Sequence, residues 1–139
     1  MLALTFPGGK FVQDITSVTL VNATTLNIAK TVPAGKRWLL ISIKALNPDN
    51  VDRVVTFSIY YEVALTNLLR TLNTESLTAA GAEALQWPAV GTAPTHTTSP
   101  EWCLVLMAPG NTLNIQWLTG GASAGATDAD GLILEYLEL

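Results

Sequence analysis

Val32-Pro33-Ala34-Gly35-Lys36 and Ala108-Pro109-Gly110-Asn111-Thr112 are two turn signals, and each is followed by a run of β-forming residues. Proline pre-sets the backbone for the second position of a β-turn, and glycine accepts a positive φ. The spacing predicts a type II turn at Pro109-Gly110 and a type I turn at Pro33-Ala34-Gly35, which glycine closes. Turns of this kind between apolar runs favour an antiparallel β-sandwich.

The rest of the chain supports an all-β class, with about eight strands at a spacing of roughly 8–12 residues. We therefore predict an antiparallel β-sandwich that is jelly-roll-like. Residues 1–14 are predicted to be an extended N-terminal arm, and residues 15–139 a single domain. Residues 75–86 are alanine-rich after a Thr/Glu/Ser cluster, which predicts one short helix. Further strands are expected near 63–72, 101–107, 111–118 and 131–138.

Strict alternation assigns the faces of the strand after Pro33. One face is apolar and is expected to point into the sandwich: Leu39, Ile41, Ile43 and Ala45. The opposite face is expected to be covered by a neighbour through three apolar side chains: Trp38, Leu40 and Leu46. The arm adds three apolar residues that need cover: Leu2, Leu4 and Phe6. These last two groups are the candidate interface residues.

The composition is poor in charge. Only 13% of the 139 residues are Asp, Glu, Lys or Arg, whereas soluble domains average about 25%. A sandwich with so few charges must present apolar or neutral polar surface, which we expect to be buried against copies of itself or in a larger assembly. The net charge is −4 and the seven basic residues are scattered, so no nucleic-acid partner is expected.

The sequence has no feature that indicates disulfide bonding, membrane insertion or secretion. The single cysteine excludes an internal disulfide. The longest apolar stretch is far shorter than the roughly 20 residues of a membrane helix, so no membrane partner is expected. The N-terminus has no basic region followed by a long apolar segment, and we therefore predict no signal peptide.

Three short patterns could carry chemistry, and each falls short of a site. His96 with Ser99 lacks a nucleophile elbow, so a solvated histidine is the expectation. Asp128-Ala129-Asp130-Gly131 resembles part of a calcium loop but lacks the preceding oxygen ligand, so a turn into the last strand is favoured. The glycine-rich stretch 120–125 is not followed by a helix that could bind phosphate. We expect no enzyme activity, no metal and no cofactor.

Four tryptophans leave an alternative function open: Trp38, Trp87, Trp102 and Trp117. Exposed tryptophans on a β-sandwich stack on sugar rings, which would indicate a glycan-binding module. Tryptophans that fill the core or an interface are the favoured interpretation. Trp117 alternates with Leu113 and Ile115 and is expected to point inward.

Three segments together suggest a family: Val32–Leu40, Asp52-Arg53 at the start of an alternating strand, and Met107–Leu113. They resemble the small β-sandwich virion proteins of tailed bacteriophages, over roughly residues 24–138. The resemblance implies a jelly-roll-like subunit that binds a capsid or tail surface as a symmetric homo-oligomer, often a trimer. It carries no functional residue, since the shared positions are structural.

The sequence therefore favours a non-enzymatic phage structural protein. The first expectation is a capsid decoration or cement protein that contacts the major capsid protein or another virion protein, in a virion assembled in the host cytoplasm. The alternatives are a tail or baseplate component and a glycan-binding module.

Overall fold

A computed structural model describes residues 8–79, 84–88, 105–120 and 125–139. Within these ranges the chain forms nine strands and no helix. The strands are β1 (Lys10–Leu20), β2 (Leu26–Thr31), β3 (Trp38–Leu46), β4 (Arg53–Tyr60), β5 (Leu68–Leu77), β6 (Ala84–Trp87), β7 (Val105–Met107), β8 (Thr112–Trp117) and β9 (Ala126–Glu138).

The strands form two antiparallel sheets packed as a sandwich, which confirms the predicted fold class. The five-stranded sheet has the order β1-β9-β3-β6, with β7 also paired to β3, and the four-stranded sheet has the order β2-β8-β4-β5. The first strand, β1, pairs with the last, β9, and β2 pairs with β8. Further inside the chain, β3 pairs with β6 and β7, and β4 pairs with β5. This nested pairing is that of a long hairpin rolled into a sandwich, which is the jelly-roll arrangement.

The ninth strand arises because one edge strand is divided in two. Both β6 and β7 pair antiparallel with β3, β6 beginning at Ala84↔Leu46 and β7 ending at Met107↔Trp38. They therefore lie one after the other along the same strand, and together they take the place of a single jelly-roll strand. The expected number of about eight was one too low because β6 begins in the segment that was predicted to be a helix.

The two turn signals lie side by side at one end of the sandwich. Gly110 N–H donates to the Val32 carbonyl at 3.0 Å, and Val32 N–H donates to the Asn111 carbonyl at 2.9 Å. Gly110 has a φ of 84° and the turn closes from Asn111 N–H to the Ala108 carbonyl, as the type II prediction requires.

The turn at Pro33 differs from the prediction. Lys36 N–H donates to the Pro33 carbonyl at 3.1 Å, so Pro33 is the first residue of the turn and Gly35 the third. Gly35 has a φ of 75°, which fits a type II turn and not the predicted type I.

The face assignment of β3 was wrong in its first half. Trp38 is 5% exposed and Leu40 is 1% exposed, and both belong to the core. Leu39 and Ile41 consequently lie on the outer face, whereas Ile43 and Ala45 point inward as predicted. The physical reason is a register shift between Leu40 and Ser42 in the pairing with β9: one extra residue there exchanges the two faces.

The predicted helix at 75–86 and the limit of the arm also need correction. Residues 75–77 belong to β5 and residues 84–87 to β6, and no helix is present in the described part of this segment. Thr74 shows why, because its hydroxyl donates to Thr56 of β4 at 3.1 Å. Residues 10–14, assigned to the arm, are the start of β1 and pair with β9.

Gly131 lies where β1 and β9 approach closely, at a register shift between Thr16 and Val18. A Cβ added to Gly131 would lie 2.6 Å from the Cβ of Val18. We expect Gly131→Ala to lower the free energy of unfolding by about 1–3 kcal/mol, because one of the two strands must move. Urea unfolding measures this. The control is Ala129→Ser, at an exposed position on the same strand, with a change within about 0.5 kcal/mol; an unchanged Gly131→Ala midpoint would contradict the close approach.

Candidate interaction surface on the five-stranded sheet

The outer face of the five-stranded sheet carries a row of four apolar side chains, one from each neighbouring strand. The register places Phe11 of β1 opposite Leu137 of β9, Leu137 opposite Leu39 of β3, and Leu39 opposite Leu106 of β7. We call Phe11, Leu137, Leu39 and Leu106 the outer row. The inner neighbours of these residues are core or core-packed side chains, so the alternation of a strand directs the outer row away from the core.

The outer row is open to solvent at both ends. Phe11 and Leu106 are each 54% exposed, whereas Leu39 in the middle of the row is buried although it is not part of the core cluster. Further along the same face, Ile15 of β1 is also exposed and lies opposite the half-buried Ile133 of β9. Apolar surface of this kind on one face of a sandwich is typical of a protein interface.

On the four-stranded sheet, the outer face of β2 and β8 is covered by hydroxyl and amide groups. Thr31 and Thr112 share a hydrogen bond at 2.9 Å across β2 and β8. Asn114 Nδ2 and Gln116 Nε2 both donate to Asn27 Oδ1, at 3.0 and 3.1 Å. These neutral ladders explain how the protein covers a sheet with few charges. On β5 of the same sheet two leucines, Leu68 and Leu69, are exposed.

A groove of about 260 Å³ lies next to the outer row, along the same face. Five of its nine lining residues are polar: Gln13, Ser42, Lys44, Gln86 and Glu135. The other four are apolar: Ile43, Trp87, Pro88 and Ile133. Ser42 Oγ donates to Glu135 Oε1 at 2.7 Å, which fixes the position of the carboxylate. The groove thus offers amide, hydroxyl, ammonium and carboxylate groups to a polar ligand.

The inner side of this sheet holds the one ring stack of the described residues, Tyr136 on Trp38, with ring centroids 4.2 Å apart. Burial raises the pKa of Tyr136, and the carboxylates of Glu138 and Asp14 raise it further. The pKa in the folded state therefore lies above the value of about 10 expected for the unfolded chain.

The raised pKa of Tyr136 predicts a loss of stability in alkali. The stability from the neutral phenol is fully present below about pH 10 and is lost as the pH rises through the folded-state pKa. We expect the wild-type protein to lose more stability than Tyr136→Phe between about pH 9 and about pH 11, measured by urea unfolding. Equal losses in the two proteins would show that the phenol does not titrate in this way.

The structure does not bring the predicted interface residues together on one surface. Trp38 and Leu40 lie in the core and are not available on the outer face. Leu46 is half-buried, and its carbonyl accepts a hydrogen bond from Trp117 Nε1 at 2.9 Å. The arm residues Leu2, Leu4 and Phe6 lie outside the described residues.

The remaining predicted sites are placed as follows. Asp128 and Asp130 both belong to β9, and Asp130 N–H donates to Asp128 Oδ1 at 2.8 Å, so the turn expected there is part of a strand. His96, Ser99 and residues 121–124 lie outside the described residues. Trp117 is fully buried as predicted, and Trp87 also belongs to the core.

Sequence reasoning missed the outer row. The local signals are the alternations Phe11, Gln13, Ile15 in β1 and Ile133, Glu135, Leu137 in β9. Their meaning depends on the order of the strands, since only the pairing of β1, β9, β3 and β7 brings these residues into one row.

In residues 8–79, 84–88, 105–120 and 125–139, no three His, Cys, Asp or Glu side chains group so that they could hold a metal ion. The same ranges contain no helix with the length and apolarity to cross a membrane. No family model, no curated protein and no solved structure matches the chain.

Proposed function

We propose that the protein is a non-enzymatic structural subunit of a bacteriophage virion, namely a capsid decoration or cement protein. It works as a homo-oligomer and attaches to the major capsid protein or another virion protein. The role of the protein is to bury the outer row, the apolar strip on which this proposal rests, at the junction between subunits, which holds the shell together.

The energetic argument rests on the exposed ends of the outer row. Fully burying a large apolar side chain stabilises by about 1.5–3 kcal/mol, and Phe11 and Leu106 are about half exposed in the single chain. Each therefore offers about 1 kcal/mol to a contact, before Leu137 and Ile15 are counted. Contacts of this size are weak singly, and a repeating shell multiplies them.

The charges favour a protein partner over a nucleic acid. Three basic residues are paired with carboxylates: Lys30 with Asp14, Lys36 with Glu138, and Arg53 with Asp49. A nucleic-acid surface needs free cations in a stripe to displace the counterions of phosphate. The apolar strip has the chemistry of a protein interface core.

Purified particles test this proposal. Virions are banded on a density gradient, the chain is identified by mass spectrometry, and its copies are counted against the major capsid protein. We expect many copies for each particle, released only by dissociation of the shell. If the chain stays in the soluble fraction while intact particles band without it, the structural role is wrong.

The groove favours a glycan-binding module as a second candidate. Its amide, hydroxyl and charged groups can bind sugar hydroxyls, and Trp87 forms part of its lining, so tryptophan fluorescence can report binding. Titration with host surface polysaccharide is expected to shift the emission if this candidate is right, and the shift should be lost in Gln86→Ala. An unchanged spectrum at millimolar sugar would remove it.

A further inference from the structure

β1 is an open edge of the five-stranded sheet. Among the described strands it pairs with β9 alone, so within the described residues no strand pairs with the backbone N–H and C=O groups on its other side. The pairing from Lys10 to Thr16 runs without interruption, and the first register shift comes between Thr16 and Val18. This leaves a regular edge of seven residues, Lys10–Thr16.

The other edges are less suited to strand pairing. The edge opposite β1 is divided between β6 and β7, and β2 is only six residues long. β5 carries two register shifts in its pairing with β4, which bend the strand away from a flat edge. Natural sheets protect their edges with such features. β1 has the longest regular edge of the four.

The chemistry of β1 is complementary to itself. Its only charged residues, Lys10 and Asp14, cancel, and Asp14 is held by Lys30 of β2 at 3.0 Å. Phe11 and Ile15 stand two residues on either side of Gln13, on the outer face, and are 54% and 51% exposed. Gln13, at the centre of the regular edge, therefore lies midway between the two exposed apolar residues Phe11 and Ile15.

We propose that β1 of one molecule pairs antiparallel with β1 of a second copy, about a two-fold axis at Gln13. Each Phe11 then lies opposite Ile15 of the other copy, an aromatic–β-branched cross-strand pair. Lys10 lies opposite Thr16, so no like charges meet. The two five-stranded sheets become one continuous sheet, and the outer rows of both copies lie on the same face.

This pairing adds the contact between copies to the proposed structural role. Its biological purpose rests on that proposed function. The pairing supplies the contact between copies through Phe11 and Ile15, while Leu137, Leu39 and Leu106 of the outer row remain free for the rest of the shell. The contact is two-fold, in contrast to the three-fold assembly that the family resemblance implies.

Disulfide trapping tests the register. In a Cys103→Ser background, Gln13→Cys places two thiols directly opposite each other, at the Cα separation of about 4.5–5.5 Å that a disulfide accepts. The matched control is Ser17→Cys, on the same face of β1, which would lie eight residue steps, or roughly 26 Å, from its own image. On mild oxidation we expect a linked dimer from Gln13→Cys and almost none from Ser17→Cys.

Three results would overturn the pairing: no cross-link at residue 13, equal cross-linking at both positions, or a sedimentation mass of one or three chains for the concentrated wild-type protein. As a second variant, Ile15→Lys places an ammonium opposite Phe11 and should weaken dimerisation at least tenfold, while the circular dichroism spectrum of the diluted chain stays that of the wild type. The trapping uses purified protein alone, so a cross-link without particle association would remove the proposed function and leave the pairing intact.

Discussion

Replacing Arg53 with leucine is expected to lower the free energy of unfolding by about 3–5 kcal/mol, the cost of leaving a buried charge without its partner. The guanidinium and the Asp49 carboxylate are both fully buried, with two hydrogen bonds at 3.0 and 2.8 Å. The same guanidinium donates to three carbonyls, those of Val21, Thr24 and Leu118. It therefore ties the β1–β2 connection and the end of β8 to the start of β4.

Urea unfolding with two controls separates the ion pair from the loss of packing. Arg37→Leu, at an exposed position, should change the stability by no more than about 0.5 kcal/mol. Arg53→Leu combined with Asp49→Asn should recover part of the loss, because the second change removes the unpaired carboxylate. A wild-type midpoint for Arg53→Leu would contradict this role, and full additivity of the two losses would contradict the coupling.

The second large effect is expected on association. Phe11→Lys with Leu106→Lys places a charge at each open end of the outer row, where the proposed contact excludes water. If each residue contributes the roughly 1 kcal/mol that its exposed half offers, the double variant binds about thirtyfold more weakly, and the two charges in a contact that excludes water weaken binding further. The stability of the single chain should fall by only about 2 kcal/mol, since about half of each side chain is already exposed.

The binding experiment uses particles from a phage mutant that lacks the chain, to which purified protein is added back and sedimented. The matched control is Tyr61→Lys with Val63→Lys, two exposed apolar residues outside the five-stranded sheet, which should bind as the wild type does. Equal binding by all three proteins would show that the outer row is not the contact. If both double variants bound the particles equally weakly, the loss would come from the added charge in general and not from the outer row.

The sandwich was predictable because its determinants are local. The turn at Pro109-Gly110 and the inward position of Trp117, which alternates with Leu113 and Ile115, need no knowledge of distant residues, and all three of these side chains are buried. Even the position of Arg53 at the start of β4 follows from the turn before it.

The errors arose where distant contacts override a local preference. The alanine-rich segment after Thr74 has a helix-like start, yet Asn73 Nδ2 donates to the Gln86 carbonyl at 3.0 Å and holds β5 against β6. The strand expected at 63–72 begins at Leu68, because the Glu62 carboxylate accepts hydrogen bonds from Thr66 and Asn67 and closes a turn there. Hydrogen bonds from Thr66, then from Asn67, lower the pKa of that carboxyl.

The outer row could not be found from sequence for a related reason. Leu39 was assigned inward because strict alternation ignores the extra residue between Leu40 and Ser42. Leu106 and Phe11 are far apart in the chain, and only the strand order brings them into the same row. Periodicity shows that a strand has two faces, and pairing with its neighbours decides which face becomes a surface.

Hydroxyl-radical footprinting of the banded particles tests the central claim most directly, since it reports which side chains of the bound protein meet water. We expect Phe11 and Leu106 to be oxidised in the free chain and protected on the particle, with Tyr61 oxidised equally in both. Equal oxidation of Phe11 and Leu106 in the free and particle-bound protein would contradict the claim that this face is covered.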